Sequence, residues 1–175
     1  MDEAITVRRI RADEWQKQRD LRLRALAEAP LAFGSTLARE QALPEETWRE
    51  RASGGAADAD RATFIAERGG TWAGMATGLL EPGGDGERPA WVVGMWVDPG
   101  VRRRGVARSL LTVVADWARE RGADVLNLDV TETNIPAIAL YESLGFRASG
   151  ATEPLPHTPA LRENHMSCPL ARFGG

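Results

Sequence analysis

Cysteine is almost missing from these 175 residues: Cys168 stands alone. An intrachain disulfide is excluded, which fits a reducing compartment, and the cytoplasm is the expected location. Cys168 itself reads as a small apolar strand residue before it reads as a thiol nucleophile. No apolar run approaches the ~20 residues that a helix needs to cross a bilayer, so no membrane partner is expected. The start of the chain is charged from Asp2 and lacks the apolar core of a signal peptide. An excess of positive charge is also lacking. The 22 basic and 25 acidic residues leave a net charge of -3, which argues against nucleic acid as the main partner. Histidine occurs only twice, and no ligand spacing for a metal is present, so no metal is expected. Neither an internal repeat nor a Pro/Ser linker divides the chain. Its length predicts one domain over 1–175 with a substantial core.

What is present centres on one junction. Trp91 to Val97 is a short apolar run that reads as a buried strand. Asp98-Pro99-Gly100 ends it, because proline cannot continue a ladder and glycine relaxes the turn. Val106, Ala107, Leu110, Leu111, Val114, Trp117 and Ala118 then recur at helical spacing, predicting an amphipathic helix from near Arg104 to Gly122. The start of such a helix carries backbone N–H groups without intrahelical partners, and its dipole favours an anion. Gly105 and Ala107 let a ligand approach that backbone. Arg102, Arg103, Arg104 and Arg108 add positive charge. The junction is a cradle for a phosphate or pyrophosphate. It is not a Walker loop, having no Gly-Lys-Ser/Thr, and the glycines of a dinucleotide fingerprint are absent.

The rest of the chain fits around this junction. Ile5 to Ile10 alternates as a first strand. Asp13 with Gln16 resembles a capping box, and a helix runs to about Glu28 on Trp15, Leu21, Ala25 and Leu26. Ser35 is a candidate cap for a second helical stretch, and Pro44-Glu45-Glu46 opens another, with proline in its first turn. Ser53 to Arg61, rich in Gly, Ala and Asp, reads as a mobile loop. Thr63–Glu67 and Trp72–Leu80 form a hairpin on Gly69-Gly70, and Glu81 to Pro89 is a flexible turn. Val125 to Val130 is a further strand, with Leu126, Leu128 and Val130 on one face and Asn127 and Asp129 on the other. Asn134 is positioned to cap the next helix, with Pro136 in its first turn, and Gly145 ends it. A sixth strand starts at Phe146, Thr152 to Pro159 reads as a stiff irregular loop, and Met166 to Leu170 closes the sheet. The expected class is mixed α/β: an antiparallel meander, then a right-handed strand–helix–strand crossover that places 91–97 and 125–130 in one sheet. About seven strands and about four helices are expected.

Arg102-x-x-Gly105-x-Ala107, placed after Val97-Asp98-Pro99, resembles the acetyl-coenzyme A signature of the GNAT superfamily of N-acetyltransferases, Gln/Arg-x-x-Gly-x-Gly/Ala. A second stretch, Asn134-Ile-Pro-Ala-Ile-Ala-Leu-Tyr141-Glu-Ser-Leu-Gly-Phe146, also resembles the family, and is closest to its ribosomal-protein alanine acetyltransferase branch. The likeness covers roughly Trp91 to Arg147. It implies a parallel strand pair that splays to admit the pantetheine arm, with acetyl-CoA as cosubstrate. By the same resemblance, the backbone of Met95, Trp96 and Val97 would pair with that arm. The segment Arg103-Arg104-Gly105-Val106-Ala107-Arg108 would wrap the pyrophosphate, and Asn134 would bind the pantetheine. Tyr141 would face the sulfur as general acid; otherwise it is a packed helix tyrosine with its hydroxyl at the surface. As the only tyrosine, it carries no aromatic cluster.

Asp129 sits where the alanine-acetylating branch carries its glutamate, so it is either the general base or the structural partner of an arginine or a loop N–H. Glu132 is the weaker alternative, and His157 and His165 read as structural or exposed. Trp96 either lines the acceptor pocket or packs on the sheet, and Trp15, Trp48, Trp72, Trp91 and Trp117 read as core. The resemblance implies transfer of an acetyl group to a primary amine, either a small molecule or a protein N-terminus or lysine, and admits a homodimer. The acidic chain suits small cationic amines. A coenzyme A-binding sensor without turnover is the reading from another class.

Overall fold

A computed structural model describes residues 3–82 and 86–175. Seven strands form one sheet in the order β1-β2-β3-β4-β5-β7-β6. They are β1 (Ile5–Arg9), β2 (Arg61–Arg68), β3 (Thr71–Leu80), β4 (Pro89–Val97), β5 (Val125–Thr131), β6 (Arg147–Leu155) and β7 (Thr158–Pro169). Only β4 and β5 run parallel, and the crossover between them is a helix. Among the described residues there are five α-helices: α1 (Trp15–Glu28), α2 (Leu37–Gln41), α3 (Glu45–Ala57), α4 (Val106–Glu120) and α5 (Ile135–Ser143). α2, only five residues long, is the short helical stretch expected after Ser35.

Two apolar layers flank the sheet. On one face, α4 buries Val106, Leu110, Leu111, Val114, Trp117 and Ala118, the stripe that its spacing predicted. On the other face, Trp15, Leu21, Ala25 and Leu26 of α1 and Trp48 of α3 pack on Ile65, Met75 and Trp96. Trp91 departs from its core assignment. It is half-exposed, donates from Nε1 to Glu81 at 2.7 Å, and tilts against His165 at 5.2 Å between ring centroids.

Several local expectations are corrected. The turn before α1 is closed by Glu14, whose carboxylate accepts from the Arg11 N–H at 2.9 Å, so Asp13 and Gln16 do not form the box. Thr36, not Ser35, caps α2 by accepting from the Arg39 N–H at 3.2 Å. Pro44 takes the N-cap position of α3, one residue outside its first turn. Residues 53–57 are the last turns of α3 rather than a loop. Their small side chains serve close packing, since a Cβ on Gly55 would lie 2.5 Å from Thr63 Oγ1. Thr152–Pro159 is not irregular: β6 and β7 form a hairpin through it, with register shifts at 148–152 and 154–155. Pro154 misleads because β6 is an edge strand, where a missing donor costs little; Pro156 lies in the turn, and Pro159 lies near the start of β7, ahead of its pairing with β5, which begins at Glu163. The turn expected over Glu81–Pro89 includes residues 83–85, which lie outside the described residues.

The fit of α3 on β2 makes a prediction. Gly55→Val forces the helix off Thr63, and overpacking of this kind costs about 1–3 kcal/mol. The urea midpoint should fall accordingly; an unchanged midpoint would mean that α3 shifts at no cost.

Candidate active site

Parallel pairing between β4 and β5 is short. Pro89, Ala90 and Trp91 align with Val125, Leu126 and Asn127, and no register pair beyond Trp91 joins the two strands among the described residues. The strands splay as expected, leaving the β5-facing edge of 92–97 without a ladder. Gly94 sharpens the split. It holds φ +61, inside a register shift against β3, so β4 bulges just before Met95. An isolated glycine inside a strand pattern was the available signal for this bulge.

The cleft opens into a cavity of about 1070 Å³. Met95, Trp96 and Val97 line it, as do Asn134 and Tyr141, from the start and second turn of α5. Arg102, Arg103, Gly105, Val106, Ala107 and Arg108 line it too. So do Ala29–Ala32, the link after α1, and Thr131. In the sequence, 31–34 reads as a short apolar link inside the 13–52 region expected to wall the acceptor. Thr131 Oγ1 ties it to β5 by donating to Leu31 O at 2.6 Å. Of the residues singled out in the sequence, Arg104, Asp129, Glu132, His157 and His165 are not among those lining the cavity.

The loop end suits an anion. The first intrahelical bond of α4 runs from the Ser109 N–H to Gly105 O at 2.9 Å, so the N–H groups of Val106, Ala107 and Arg108 precede the ladder. Gly105 takes φ +80 at the N-cap, and a Cβ there would meet no described atom within 4 Å. Arg103 holds φ +63, an uncommon value for a residue with a side chain.

The arginines divide. Arg102 is committed to scaffolding: Nε donates to Val97 O at 2.9 Å and Nη2 to Glu28 at 2.7 Å. Its guanidinium is therefore spent on the end of β4, unlike the phosphate role that its grouping with Arg103, Arg104 and Arg108 suggested. In the sequence Glu28 reads only as the end of α1, with no sign of this role. It also accepts from Trp96 Nε1 at 2.9 Å, and its hydrogen bond from Arg102 holds its carboxyl below the usual range. Trp96 consequently does both things considered for it, packing in the α1 core and lining the cavity.

Tyr141 is 9% exposed and packs edge-on against Phe146 at 5.8 Å, which in turn packs on Phe173 at 6.2 Å. It does belong to an aromatic cluster, and its hydroxyl is not at the surface. Burial pushes that hydroxyl up to about 12, so it keeps its proton throughout the physiological range. Asn134 sits at the N-cap of α5 without a side-chain capping bond and faces the cavity instead.

Asp129 is about half exposed, with Oδ1 3.2 Å from His165 Nδ1. Alternation along β5 puts it on the same face as Thr131, the face that carries the 30–32 link. Glu163 lies nearby, and burial, Asp129 and Glu153 push its carboxyl up. Glu132 is held by the Arg162 N–H at 3.0 Å. His157 ties the β6–β7 turn to the α1–α2 link, its Nε2 2.7 Å from Phe33 O. Among the described residues, no group of three His, Cys, Asp or Glu side chains could hold a metal.

A mixed seven-stranded sheet, split between its one parallel pair above a basic helix start, defines the fold class. A solved GCN5-related N-acetyltransferase from Kribbella flavida shares it, with a TM-score of 0.72, 27% identity, and coverage of 95% of this chain and 98% of that one. A family model described as the acetyltransferase (GNAT) family matches residues 20–146, and the chain belongs to that family. Streptothricin acetyltransferase of Streptomyces lavendulae is 42% identical over 78 residues, which are 42% of this chain and 41% of that protein. Ribosomal protein bS18-alanine N-acetyltransferase of Escherichia coli is 50% identical over 50 residues, 29% of this chain and 34% of that protein. Each match thus spans well under half of the curated relative.

Proposed function

We propose that the protein, acting as one domain over 1–175, transfers an acetyl group from acetyl-CoA to a primary amine of a small molecule. The observation that carries this reading is the cavity itself. Its lining brings together an anion-receptive helix start, an unpaired strand edge and a buried, protonated tyrosine. The partial match to a streptothricin acetyltransferase favours a small-molecule acceptor. The match to the alanine acetyltransferase favours a protein N-terminus as the second reading. No described helix is long and apolar enough to cross a membrane, and the cytoplasm remains the proposed location.

The residues fit the cosubstrate. The N–H groups of 106–108, with Arg103, Arg104 and Arg108, would hold the pyrophosphate. The open edge of Met95–Val97 would pair with the pantetheine amides, and Asn134 would bind the arm. Acetyl-CoA would supply the acetyl thioester when bound. Tyr141 would keep a proton for the departing sulfur, and Asp129 would take the proton of the amine, through a water because its side chain is short. A thiol-release assay with small amines and a peptide bearing N-terminal alanine tests the proposal. Release with small amines supports it, release with the peptide alone transfers it to the second reading, and release with neither leaves a coenzyme A sensor.

The role of Asp129 is tested by its pH signature. Asp129→Asn should depress turnover at neutral pH, where the amine is protonated, and lose less at alkaline pH, where free amine is abundant. A wild-type profile in the variant would leave Asp129 as the partner of His165 alone.

A further inference from the structure

A second cavity, about 250 Å³, lies on the α1–α3 face of the sheet. Val93 and Gly94 of β4 line it, while the next three residues of the strand line the large cavity. The two spaces are therefore neighbours along one strand, about 3.3 Å apart per residue. Nothing in the transfer chemistry accounts for what surrounds the smaller one.

Three arginines, Arg22, Arg51 and Arg61, line it. Glu40, almost fully buried, accepts from Arg22 Nε at 3.1 Å and Nη2 at 2.8 Å, and from Arg51 Nη1 at 3.0 Å. Arg22 stacks on Phe33 at 4.6 Å, which fixes the plane of its guanidinium. Its remaining Nη1 comes within 4.0 Å of where a Cβ on Gly94 would stand, beside the bulge. No hydrogen bond or ion pair engages the Arg61 guanidinium among the described residues, although Asp58 shares the space beside Gly54 with it. With both carboxylates counted, the lining keeps a net positive charge.

A second observation is independent of charge. Gln18 also lines this cavity, is 8% exposed, and its Oε1 is buried without a hydrogen-bond partner among the described residues. A buried unpaired acceptor is costly in an apo protein and is relieved by an N–H or O–H from a ligand. Arginines fixed by packing and by a shared carboxylate are preorganised for a planar anion.

We infer that this cavity seats a carboxylate on the acceptor, which makes the acceptor an amine of the amino-acid class. This rests on the acetyltransferase reading of the neighbouring cavity. The carboxylate meets Arg22, Arg51 and Arg61, Gln18 accepts a hydrogen bond from the same molecule, and the amine runs along β4 toward Met95. Asp129 and Glu163 lie on the β5–β7 part of the sheet and suit the ammonium end. The net charge of the chain points to a purely cationic amine; the local charge of this cavity points to a zwitterion.

The test compares the standard L-amino acids with their carboxamides on the full-length wild-type protein, by thiol release and by calorimetric binding. Acids should show a KM about tenfold or more below their amides, the scale of a charge-assisted hydrogen bond. Arg61→Gln should raise KM for the acids about tenfold, leave it unchanged for the amides, and leave acetyl-CoA affinity unchanged. Equal KM values for acids and amides, or an equal effect of Arg61→Gln on both, overturn the inference. Acids that bind in preference to amides but release no thiol keep the carboxylate site and remove the acetyltransferase reading. The wild-type comparison does not depend on the folding of any variant.

Discussion

Tyr141→Phe is expected to lower kcat by about 10²–10⁴-fold while leaving acetyl-CoA affinity nearly intact. The substitution keeps the ring, and so keeps its edge contact with Phe146 at 5.8 Å. Only the hydroxyl is lost, and among the described residues it makes no hydrogen bond, so the fold should not suffer. The direction of the effect follows from burial. With the hydroxyl pushed up to about 12, the group is a proton donor at every pH at which the protein would work. A thiolate leaving without that proton must depart as an anion into a largely apolar cavity, which raises the barrier to collapse of the intermediate. Because the donor is lost only as pH approaches its raised value, the wild-type rate should show no fall from tyrosine ionisation between pH 7 and 9. Steady-state kinetics on the variant decides the matter. Normal turnover would reduce Tyr141 to a packing residue between α5 and the Phe146–Phe173 pair.

Gly105→Glu is the second large effect. The position is open, since a Cβ there would meet no described atom within 4 Å, so steric damage to the fold is not expected. The backbone at φ +80 costs a side chain about 1–3 kcal/mol of strain, which shifts the melting temperature without abolishing folding. The carboxylate, however, would stand at the three N–H groups that precede the α4 ladder. Like-charge juxtaposition costs several kcal/mol, so acetyl-CoA affinity should drop by about 10²-fold or more. Gly105→Asn separates the two contributions, because asparagine tolerates the left-handed region and carries no charge. It should bind far better than the glutamate variant. Calorimetric titration with acetyl-CoA reads both. Equal, near-wild-type affinities would mean that the pyrophosphate does not sit on this helix start.

Periodicity and local signatures carried much of this protein. The α4 stripe, the β2–β3 hairpin, the end of β4 at Asp98-Pro99 and the Arg102–Ala107 loop are all determined by residues close in sequence, where turn chemistry and side-chain period act directly. Asn134 and Tyr141 are singled out by resemblance to a family motif, and the fold places them at the N-cap and in the second turn of one short helix. Other features depend on what lies across the fold. The last turns of α3 are glycine-rich and look like a loop until Thr63 is seen beneath them, because only tertiary packing rewards the missing side chains. Prolines in 152–159 look like a break until Pro154 proves to lie on an edge strand, with Pro156 in the hairpin turn and Pro159 near the start of β7. Arg102 reads as one phosphate-facing cation in a run until Glu28, 74 residues away in sequence, takes its guanidinium. The convergence of Arg22, Arg51 and Arg61 on Gly94 has no local pattern at all. Those residues come from three different elements, and only the closure of α1 and α3 over the sheet, driven by burial of Trp15, Trp48 and Trp96, brings their charges to one strand.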